Sequence, residues 1–237
     1  MTMKMRFLAI ALLTLLTPTA IVSAALPPAF EAVYRARKAG MTLGKVTVSL
    51  SYDKGQYRYE KRTVTKGLLS IFRKDIITEL SIGEVKGDEL QLNTYDYHLD
   101  RKKKPRRTSI RINENKATGQ HRGQNYELEV PSGILDRASI ELALMRDVSS
   151  SSLASINYPI VDKGRLKTYL FEKSKNRKVK VPAGKFECIE YRRGHISGKR
   201  ATSLCLAPKA GYLPVYATHS EKGTEFFLEL VSYRMSK

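Results

Sequence analysis

Alternation of apolar and polar residues with a period of two is the dominant pattern of this sequence. It is clearest at KVTVSLSY (45–52) and returns at YRYEKRTV (57–64) and LKTYLFEK (166–173). Successive side chains of a β-strand point to opposite faces, so each run predicts a strand with one buried face. Turn sequences rich in Gly, Asp and Asn separate such runs, at 53–56, 85–89, 122–125 and 221–224. This repetition favours an antiparallel all-β architecture over βαβ units.

One segment, SGILDRASIELALMRD (132–147), departs from the alternation. Its apolar residues recur at helical spacing, as seen in the positions of Leu135, Ala138, Leu142 and Met145. Ser132 or Asp136 would cap the start of this helix, and the serine run at 149–152 would end it. We therefore predict a mainly β fold: a curved antiparallel sheet, folded as a half-barrel or open barrel, with one buried helix near 134–147 that covers an opening or a face.

The N-terminal segment 1–25 is typical of a secretory signal peptide. A basic start precedes an apolar stretch, and small residues follow, which is the order of charge, apolar segment and cleavage site in such signals. The apolar stretch is interrupted by Pro18 and is short for a membrane span of about 20 residues. We expect cleavage after Ala24 or Ala25, a periplasmic location, and a single mainly β domain at 26–237 without a stable membrane span.

The chain is strongly basic, with 42 Lys and Arg against 23 Asp and Glu. Such a balance implies attraction to anionic surfaces or ligands and gives no information about the fold. Tyrosines between basic residues could stack nucleobases, but here they follow the strand alternation, and an exported protein does not meet chromatin. We therefore expect no nucleic-acid partner.

Sequence signatures of catalysis are missing, among them G-x-S-x-G, H-E-x-x-H and a Gly-rich phosphate loop. The histidines lie beside predicted turns or on alternating strands, where solvated surface side chains are expected; they are His98, His121, His195 and His219. None of them pairs with another at metal-ligand spacing. The sequence thus indicates no catalytic residue, no metal site and no cofactor, and it favours a protein that is not an enzyme.

Six of the seven residues of RKKKPRR (101–107) are basic, and the seventh is Pro105. The flanking alternation predicts a β-hairpin with this run at its tip, Tyr97 opposite Ile110 and Tyr95 opposite Ile112. The run is either a solvated loop that discourages edge aggregation or a site for an anionic surface. The second hypothesis assigns binding to Arg101, Lys102, Lys103, Lys104, Arg106 and Arg107.

Cys188 and Cys205 are the only cysteines. In an exported chain, two cysteines favour a disulfide over a metal site, which would need further Cys or His ligands. A hairpin turn at 194–198 would place Cys188 directly opposite Cys205, and Ile189 opposite Leu204, within bridging distance. The alternative is a pair of buried free thiols that pack as small apolar side chains.

Two C-terminal stretches carry a family resemblance. VKVPAGKFECIEYRR (179–193) holds Pro-Ala-Gly-Lys-Phe between two predicted strands, and the stretch 205–234 holds Gly-Tyr-Leu-Pro-Val. Together with ILDRASIELALMRD (134–147), they resemble the bacterial exported-protein family catalogued as domain of unknown function 3108. The resemblance implies an exported or periplasmic, mainly β protein and brings no established activity, so it assigns no catalytic residue. The basic hairpin tip carries more positive charge than the family pattern requires.

These features lead to three functional hypotheses. The first is a non-catalytic periplasmic envelope protein that binds an amphiphilic or anionic envelope component, such as an anionic lipid or an envelope glycolipid. The second is an adaptor that regulates an envelope enzyme or assembly through protein contacts, with an acidic envelope protein as one partner. The third is an unrecognised hydrolase. A continuous apolar cavity would favour the first, an exposed apolar patch the second, and titratable groups converging in a cleft the third.

Overall fold

The computed structural model describes residues 26–66, 75–151, 153–194 and 200–236. The predicted signal peptide lies outside these residues. The described elements are, in chain order, β1 (Phe30–Lys38), β2 (Met41–Asp53), β3 (Gln56–Thr65), β4 (Ile76–Lys86), β5 (Glu89–Asp100), β6 (Arg106–Asn113), β7 (Lys116–His121), β8 (Gln124–Glu129), α1 (Ser139–Ser150), β9 (Ser155–Val161), β10 (Leu166–Val181), β11 (Gly184–Gly194), β12 (Arg200–Ala207), a 3₁₀ turn (Pro208–Ala210), β13 (Leu213–Glu221) and β14 (Thr224–Met235).

One antiparallel sheet contains all 14 of these strands, in the spatial order β8-β7-β6-β5-β4-β3-β2-β1-β14-β13-β12-β11-β10-β9. Strands adjacent in sequence pair as hairpins within β1–β8 and within β9–β14. The pairing of β1 with β14 joins the two sets at the centre of the sheet, where Phe30 lies opposite Met235. Within the described residues, the outermost strands β8 and β9 do not pair with each other. The predicted open-barrel fold with one helix is confirmed.

Alternation decides which side chains enter the core. In β3, Tyr57 and Tyr59 are 0 % and 2 % exposed, whereas Arg58 between them is exposed. Buried faces from both halves of the sheet meet α1 in one apolar cluster that extends from Phe30 to Leu230 in sequence. Burial of each large aliphatic or Phe side chain in such a core stabilises the fold by about 1.5–3 kcal/mol. The concave side of the sheet is thus occupied by the protein's own side chains.

The helix α1 begins at Ser139 rather than near 134, and it ends within the serine run, at Ser150. The preceding residues form turns around an isolated bridge rather than helix, because Leu135 pairs with β9. Its N–H donates to the carbonyl of Pro159, and its carbonyl accepts the N–H of Val161, both at 3.0 Å. The helix buries one broad face, made of Ile140, Leu142, Ala143, Leu144, Met145 and Val148. The predicted apolar stripe is therefore present, but its first residues belong to a bridge.

Asp136 ties the start of α1 to the sheet. Its buried Oδ1 accepts hydrogen bonds from the backbone N–H of Ala138 (2.5 Å) and of Ser139 (3.0 Å). Its Oδ2 accepts from the hydroxyls of Ser81 in β4 (2.5 Å) and of Ser139 (2.8 Å). Ser139 Oγ in turn accepts the N–H of Asp136 at 3.0 Å, a reciprocal arrangement like a capping box. Of the two predicted caps, Asp136 rather than Ser132 therefore holds this turn, although the helix proper begins after Ala138.

The basic hairpin forms, but its register differs from the prediction by two residues. Tyr95 lies opposite Ile110 rather than Ile112, and the second predicted pair is displaced in the same way. The reason is that β6 already begins at Arg106, which leaves a loop at 101–105. Alternation could not reveal this, because a shift of two residues keeps every side chain on the same face. Arg106 is thus a strand residue on the same face as Ile110.

The predicted disulfide between Cys188 and Cys205 is present, with Cα atoms 5.3 Å apart. The two cysteines are not directly opposite, because Cys205 pairs with Glu190. This register also differs from the prediction by two residues, and residues 195–199 of the connecting turn lie outside the described part. Residues displaced by two positions on facing strands still share a face and are diagonal neighbours. The bridge is therefore diagonal.

Candidate functional site

The two outermost strands of the sheet, β8 and β9, approach each other along a line that we call the seam. Gly164, in the turn between β9 and β10, packs on Tyr126 of β8 so closely that an added Cβ would lie 2.9 Å from Cδ1 of the ring. The Tyr126 hydroxyl donates to the carbonyl of Ser109 at 2.7 Å, which fixes the ring. The sheet thus curls until its two ends are in contact.

Two tight turns bring cations to the seam. The turn between β7 and β8 is Arg122–Gly123, with φ of 52° and 86°, and the turn between β9 and β10 is Lys163–Gly164, with φ of 57° and 69°. Positive φ at both central residues characterises the type I′ hairpin turn, in which glycine is favoured at the second position. The first position carries the cation in each case. Both Arg122 and Lys163 are exposed.

A cleft of about 70 Å³ opens at the seam, and we call it the seam cleft. Tyr95, Ile110, Val161 and the carboxylate residue Asp162 form its buried part. Alternation in β6 adds Arg106 and Thr108, which lie on the same face as Ile110. The complete lining consists of Tyr95, Tyr97, Arg106, Thr108, Ile110, His121, Arg122, Arg137, Val161, Asp162 and Lys163. The cleft therefore combines a mainly apolar interior with four cationic side chains.

An open groove of about 600 Å³ adjoins this cleft at the basic hairpin, and we call it the tip groove. It is lined by Lys104, Pro105, Arg106, Arg107, Arg122 and Gly123. Arg106 and Arg122 line both spaces, so the tip groove and the seam cleft form one continuous basic surface. Among the described residues, no acidic side chain lines the tip groove.

The predicted binding residues of the hairpin separate into two groups. Arg101 is only 21 % exposed and forms an ion pair with Asp75 at 2.7 Å, so it is committed to the fold. The other five are exposed: Lys102, Lys103, Lys104, Arg106 and Arg107. The structure adds three cations that the sequence pattern did not single out, namely Arg122, Arg137 and Lys163.

Burial and neighbouring cations lower the pKa of two groups in the seam cleft. Burial lowers the pKa of His121, and the charges of Arg122 and Lys163 lower it further. Burial also lowers the pKa of Lys163; Asp162 opposes this shift, whereas the charge of Arg137 adds to it. Burial and the neighbouring cations together thus disfavour a further positive charge at these two side chains.

Asp162 is the acidic residue of the seam cleft, and its charge is already balanced. Its Oδ2 accepts hydrogen bonds from Lys167 Nζ (2.6 Å) and from the Tyr169 hydroxyl (3.0 Å). Burial alone would raise the pKa of Asp162, but the hydrogen bond and charge of Lys167, together with the charge of Arg137, outweigh it and lower that pKa. The Arg137 Nε lies 3.9 Å from Asp162 Oδ1. The net charge of the cleft is therefore positive.

Two histidines depart from the predicted solvated state. His121 Nδ1 lies 2.9 Å from the Thr108 hydroxyl, and His219 Nδ1 lies 2.9 Å from the Thr202 hydroxyl. Both are only partly exposed. Burial lowers the pKa of His219, Glu221 opposes the shift, and nearby arginines add to it. His98 is exposed as predicted, and His195 lies outside the described residues.

The described residues contain neither a cluster of metal ligands nor a helix that could span a membrane. Across the ranges that the structure describes, no three His, Cys, Asp or Glu side chains are grouped so that they could hold a metal ion. In the same ranges, α1 and the 3₁₀ turn are too short and too polar to cross a bilayer.

Comparison with known proteins identifies a family and a shared fold. The family model described as protein of unknown function (DUF3108) matches residues 30–230. A β-barrel-like protein of domain of unknown function DUF1849 from Brucella abortus is similar in structure, with 11% identity, a TM-score of 0.60, and coverage of 90% of this chain and 100% of that chain. A chain described as a putative lipoprotein from Parabacteroides distasonis has 12% identity and a TM-score of 0.39, over 89% and 97% of the two chains. The first likeness shows the fold alone. No curated protein matches the sequence.

Proposed function

The chain belongs to the family described as protein of unknown function DUF3108, and because that family brings no activity, we propose a function from the protein's own surface. We propose that it is a non-catalytic, exported envelope protein that binds an anionic component of the cell envelope, such as an anionic lipid or glycolipid. The basic hairpin tip and the adjoining tip groove would make the contact.

The observation that carries this proposal is the composition of the tip groove. Lys104, Arg106, Arg107 and Arg122 line it, and all four are exposed. In the part of the chain that the structure describes, none of these four side chains donates a hydrogen bond or forms an ion pair with the protein. Many arginines elsewhere do, as Arg111 does with Asp96. The charges of the groove are thus available to a ligand.

The periplasm is the proposed location. The sequence of segment 1–25 supports export, and the disulfide between Cys188 and Cys205 supports an oxidising compartment, because cytosolic thiols are kept reduced. The packed concave side of the sheet argues against an acyl chain inside the protein. An amphiphile would therefore be held by its anionic headgroup at the surface.

Surface binding of this kind is weak and reversible. Each Lys or Arg close to an anionic membrane contributes about 1 kcal/mol, so five exposed tip side chains would supply about 5 kcal/mol. That value corresponds to a dissociation constant of roughly 0.2 mM. The attraction fades over a Debye length of about 8 Å at physiological salt, so it must weaken as salt is added.

Vesicle sedimentation tests the proposal. A tip variant replaces Lys102, Lys103, Lys104, Arg106 and Arg107 with Gln. A matched control removes the same charge from exposed lysines elsewhere: Lys175, Lys178, Lys180, Lys185 and Lys209. With phosphatidylglycerol vesicles, the tip variant should lose most of the binding that the natural protein shows at low salt. Its remaining binding should change little as salt is added, whereas the control should keep both the binding and its dependence on salt. If both variants lose the same amount of vesicle binding, the net charge of the protein explains the binding, and a defined site at the tip is contradicted.

An adaptor remains the second candidate because of one apolar feature. Leu166 and Leu170 of β10 point to the same face and are 46 % and 40 % exposed. The hydrolase hypothesis has less support: His121 and Asp162 both line the seam cleft, but their hydrogen bonds to Thr108, Lys167 and Tyr169 already engage them. Binding to an envelope protein that persists at high salt and is lost when Leu166 and Leu170 are replaced with Ser would favour the adaptor.

A further inference from the structure

We propose that the seam cleft is a specific site for a phosphate monoester, carried by an envelope lipid or by a soluble ester. This inference deepens the proposed function and rests on it only for the lipid source. The hairpin tip would attract any anionic surface. The seam cleft would select which anion is held.

The size of the cleft matches one phosphate group. A volume of about 70 Å³ corresponds to roughly five to seven positions for a water-sized group, at 10–15 Å³ each. A phosphate group has a similar number of heavy atoms, whereas a sugar ring or an acyl chain is larger. The remainder of an ester would lie outside the cleft, and the tip groove of about 600 Å³ adjoins it.

The donors at the cleft favour phosphate over carboxylate. The guanidinium groups of Arg106, Arg122 and Arg137 donate no hydrogen bond within the described part of the chain, and neither does the ammonium of Lys163. Planar guanidinium forks match the oxygen spacing of both carboxylate and phosphate and can bind two oxygens at once, so the number of oxygens and the charge of the ligand decide between the two. A monoester offers three terminal oxygens and nearly two charges at neutral pH, since its second pKa is about 6. A diester carries one charge and suits this cation-rich cleft less well.

Arg137 is a cation of the cleft that also contacts two other lining residues, Tyr97 and Asp162. Its guanidinium lies 5.9 Å from the centre of the Tyr97 ring, within the range of a cation–π contact. On another side its Nε lies 3.9 Å from Asp162 Oδ1, a buried oxygen without a hydrogen-bond partner among the described residues. These contacts hold Arg137 near the cleft without occupying its remaining N–H donors. Arg137 is thus the residue expected to bind the phosphate oxygens directly.

Isothermal titration calorimetry of the purified protein with glycerol phosphate tests the site, with dimethyl phosphate as the diester control. Arg137→Gln and Lys163→Gln each remove one donor, and Arg62→Gln on the exposed face of β3 removes the same charge elsewhere. We expect glycerol phosphate to bind at least about tenfold more tightly than dimethyl phosphate. Each cleft variant should weaken that binding by about tenfold, the effect of losing one charge-assisted hydrogen bond, and Arg62→Gln should change it less than about twofold. Lys163 is an exposed turn residue, so its variant tests the site even if Arg137→Gln fails to fold.

Vesicles distinguish the source of the ester. Phosphatidic acid carries a monoester and phosphatidylglycerol a diester, so a preference for phosphatidic acid that disappears in Lys163→Gln would identify a lipid ligand. Binding of free glycerol phosphate without that preference would identify a soluble ester; both results support the site. No monoester preference in either experiment would overturn it. Replacing only Lys102, Lys103 and Lys104 should weaken vesicle binding and spare glycerol phosphate binding, so failure of the cleft and failure of the tip are separable.

Discussion

Asp136 offers the sharpest test of how the helix is joined to the sheet. Asp136→Ala would remove the acceptor of four hydrogen bonds, from two backbone N–H groups and two serine hydroxyls, all buried. The hydroxyls can rotate toward other acceptors, but the N–H groups of Ala138 and Ser139 cannot. A buried donor left unpaired costs about 1–3 kcal/mol, so the two together should lower the free energy of unfolding by about 4 kcal/mol. That is a large part of the total stability of about 5–15 kcal/mol typical of a domain.

Asp136→Asn separates hydrogen bonding from charge. The amide oxygen can still accept from both N–H groups, and the serine hydroxyls can turn to accept from the amide NH₂, so we expect a loss of only about 1 kcal/mol. Burial raises the pKa of Asp136 above its ordinary value of 3.8, against the opposing effect of its hydrogen bonds. A raised folded-state pKa gives stability that is present below the unfolded pKa and is lost as pH rises through the folded one. The advantage of the natural protein over Asp136→Asn should therefore shrink from acidic to neutral pH.

Urea unfolding followed by circular dichroism measures these differences, provided that the dependence on urea concentration keeps the same slope. Asp96→Ala is the control, because it breaks only an exposed ion pair with Arg111 and should change stability by less than about 1 kcal/mol. If Asp136→Ala lies within about 1 kcal/mol of the natural protein, the buried network does not anchor the helix. If Asp136→Asn is as damaging as Asp136→Ala, charge rather than hydrogen bonding is decisive.

The disulfide, two histidines and one glycine lead to further predictions. Replacing Cys188 and Cys205 with Ala should lower the free energy of unfolding by about 3 kcal/mol, since the bridge closes a loop with a sequence separation of 17; urea titrations with an unchanged midpoint would contradict this. Burial and neighbouring cations lower the pKa of His121 and of His219 below 6.5, so the natural protein should lose stability as pH falls through that value. In a variant with Gln at both positions, the melting temperature should fall less than in the natural protein as pH is lowered over this range. An equal fall in both proteins would contradict the lowered pKa values of the two histidines. Gly83→Ala would place a Cβ 2.0 Å from a carbonyl oxygen of the neighbouring strand and should destabilise by about 1–3 kcal/mol, which an unchanged melting temperature would disprove.

Sequence alternation predicted the strands and their buried faces, but it could not decide their register. In both hairpins for which residue pairs were predicted, the observed register is displaced by two residues. Tyr95 pairs with Ile110, and Cys205 pairs with Glu190. A two-residue slip leaves the apolar faces matched, so only the loop can decide between the alternatives. The disulfide was predictable despite this error, because residues displaced by two still share a face.

The candidate site could be predicted only in part. RKKKPRR marks one side of it in sequence. Arg122, Arg137 and Lys163 are ordinary residues of turns or of a helix start, and they meet because the whole sheet curls until β8 approaches β9. That curvature accumulates over 14 strands and has no local sequence signal. The same long-range effect explains the late start of α1, whose predicted first turn is used by Leu135 to bridge β9.

The pairing of β1 with β14 has a consequence for the order in which the chain can fold. Arg35 and Arg37 of β1 both bind Glu229 of β14, across separations of 194 and 192 residues. Contacts between such distant residues require the closure of a very long loop, which makes folding slow. Until β14 is available, β1 exposes an unpaired backbone edge and the β1–β8 set cannot be joined to β9–β14. For a protein that crosses a membrane during export, as we propose, this topology delays the joining of the two strand sets until β14 has passed through.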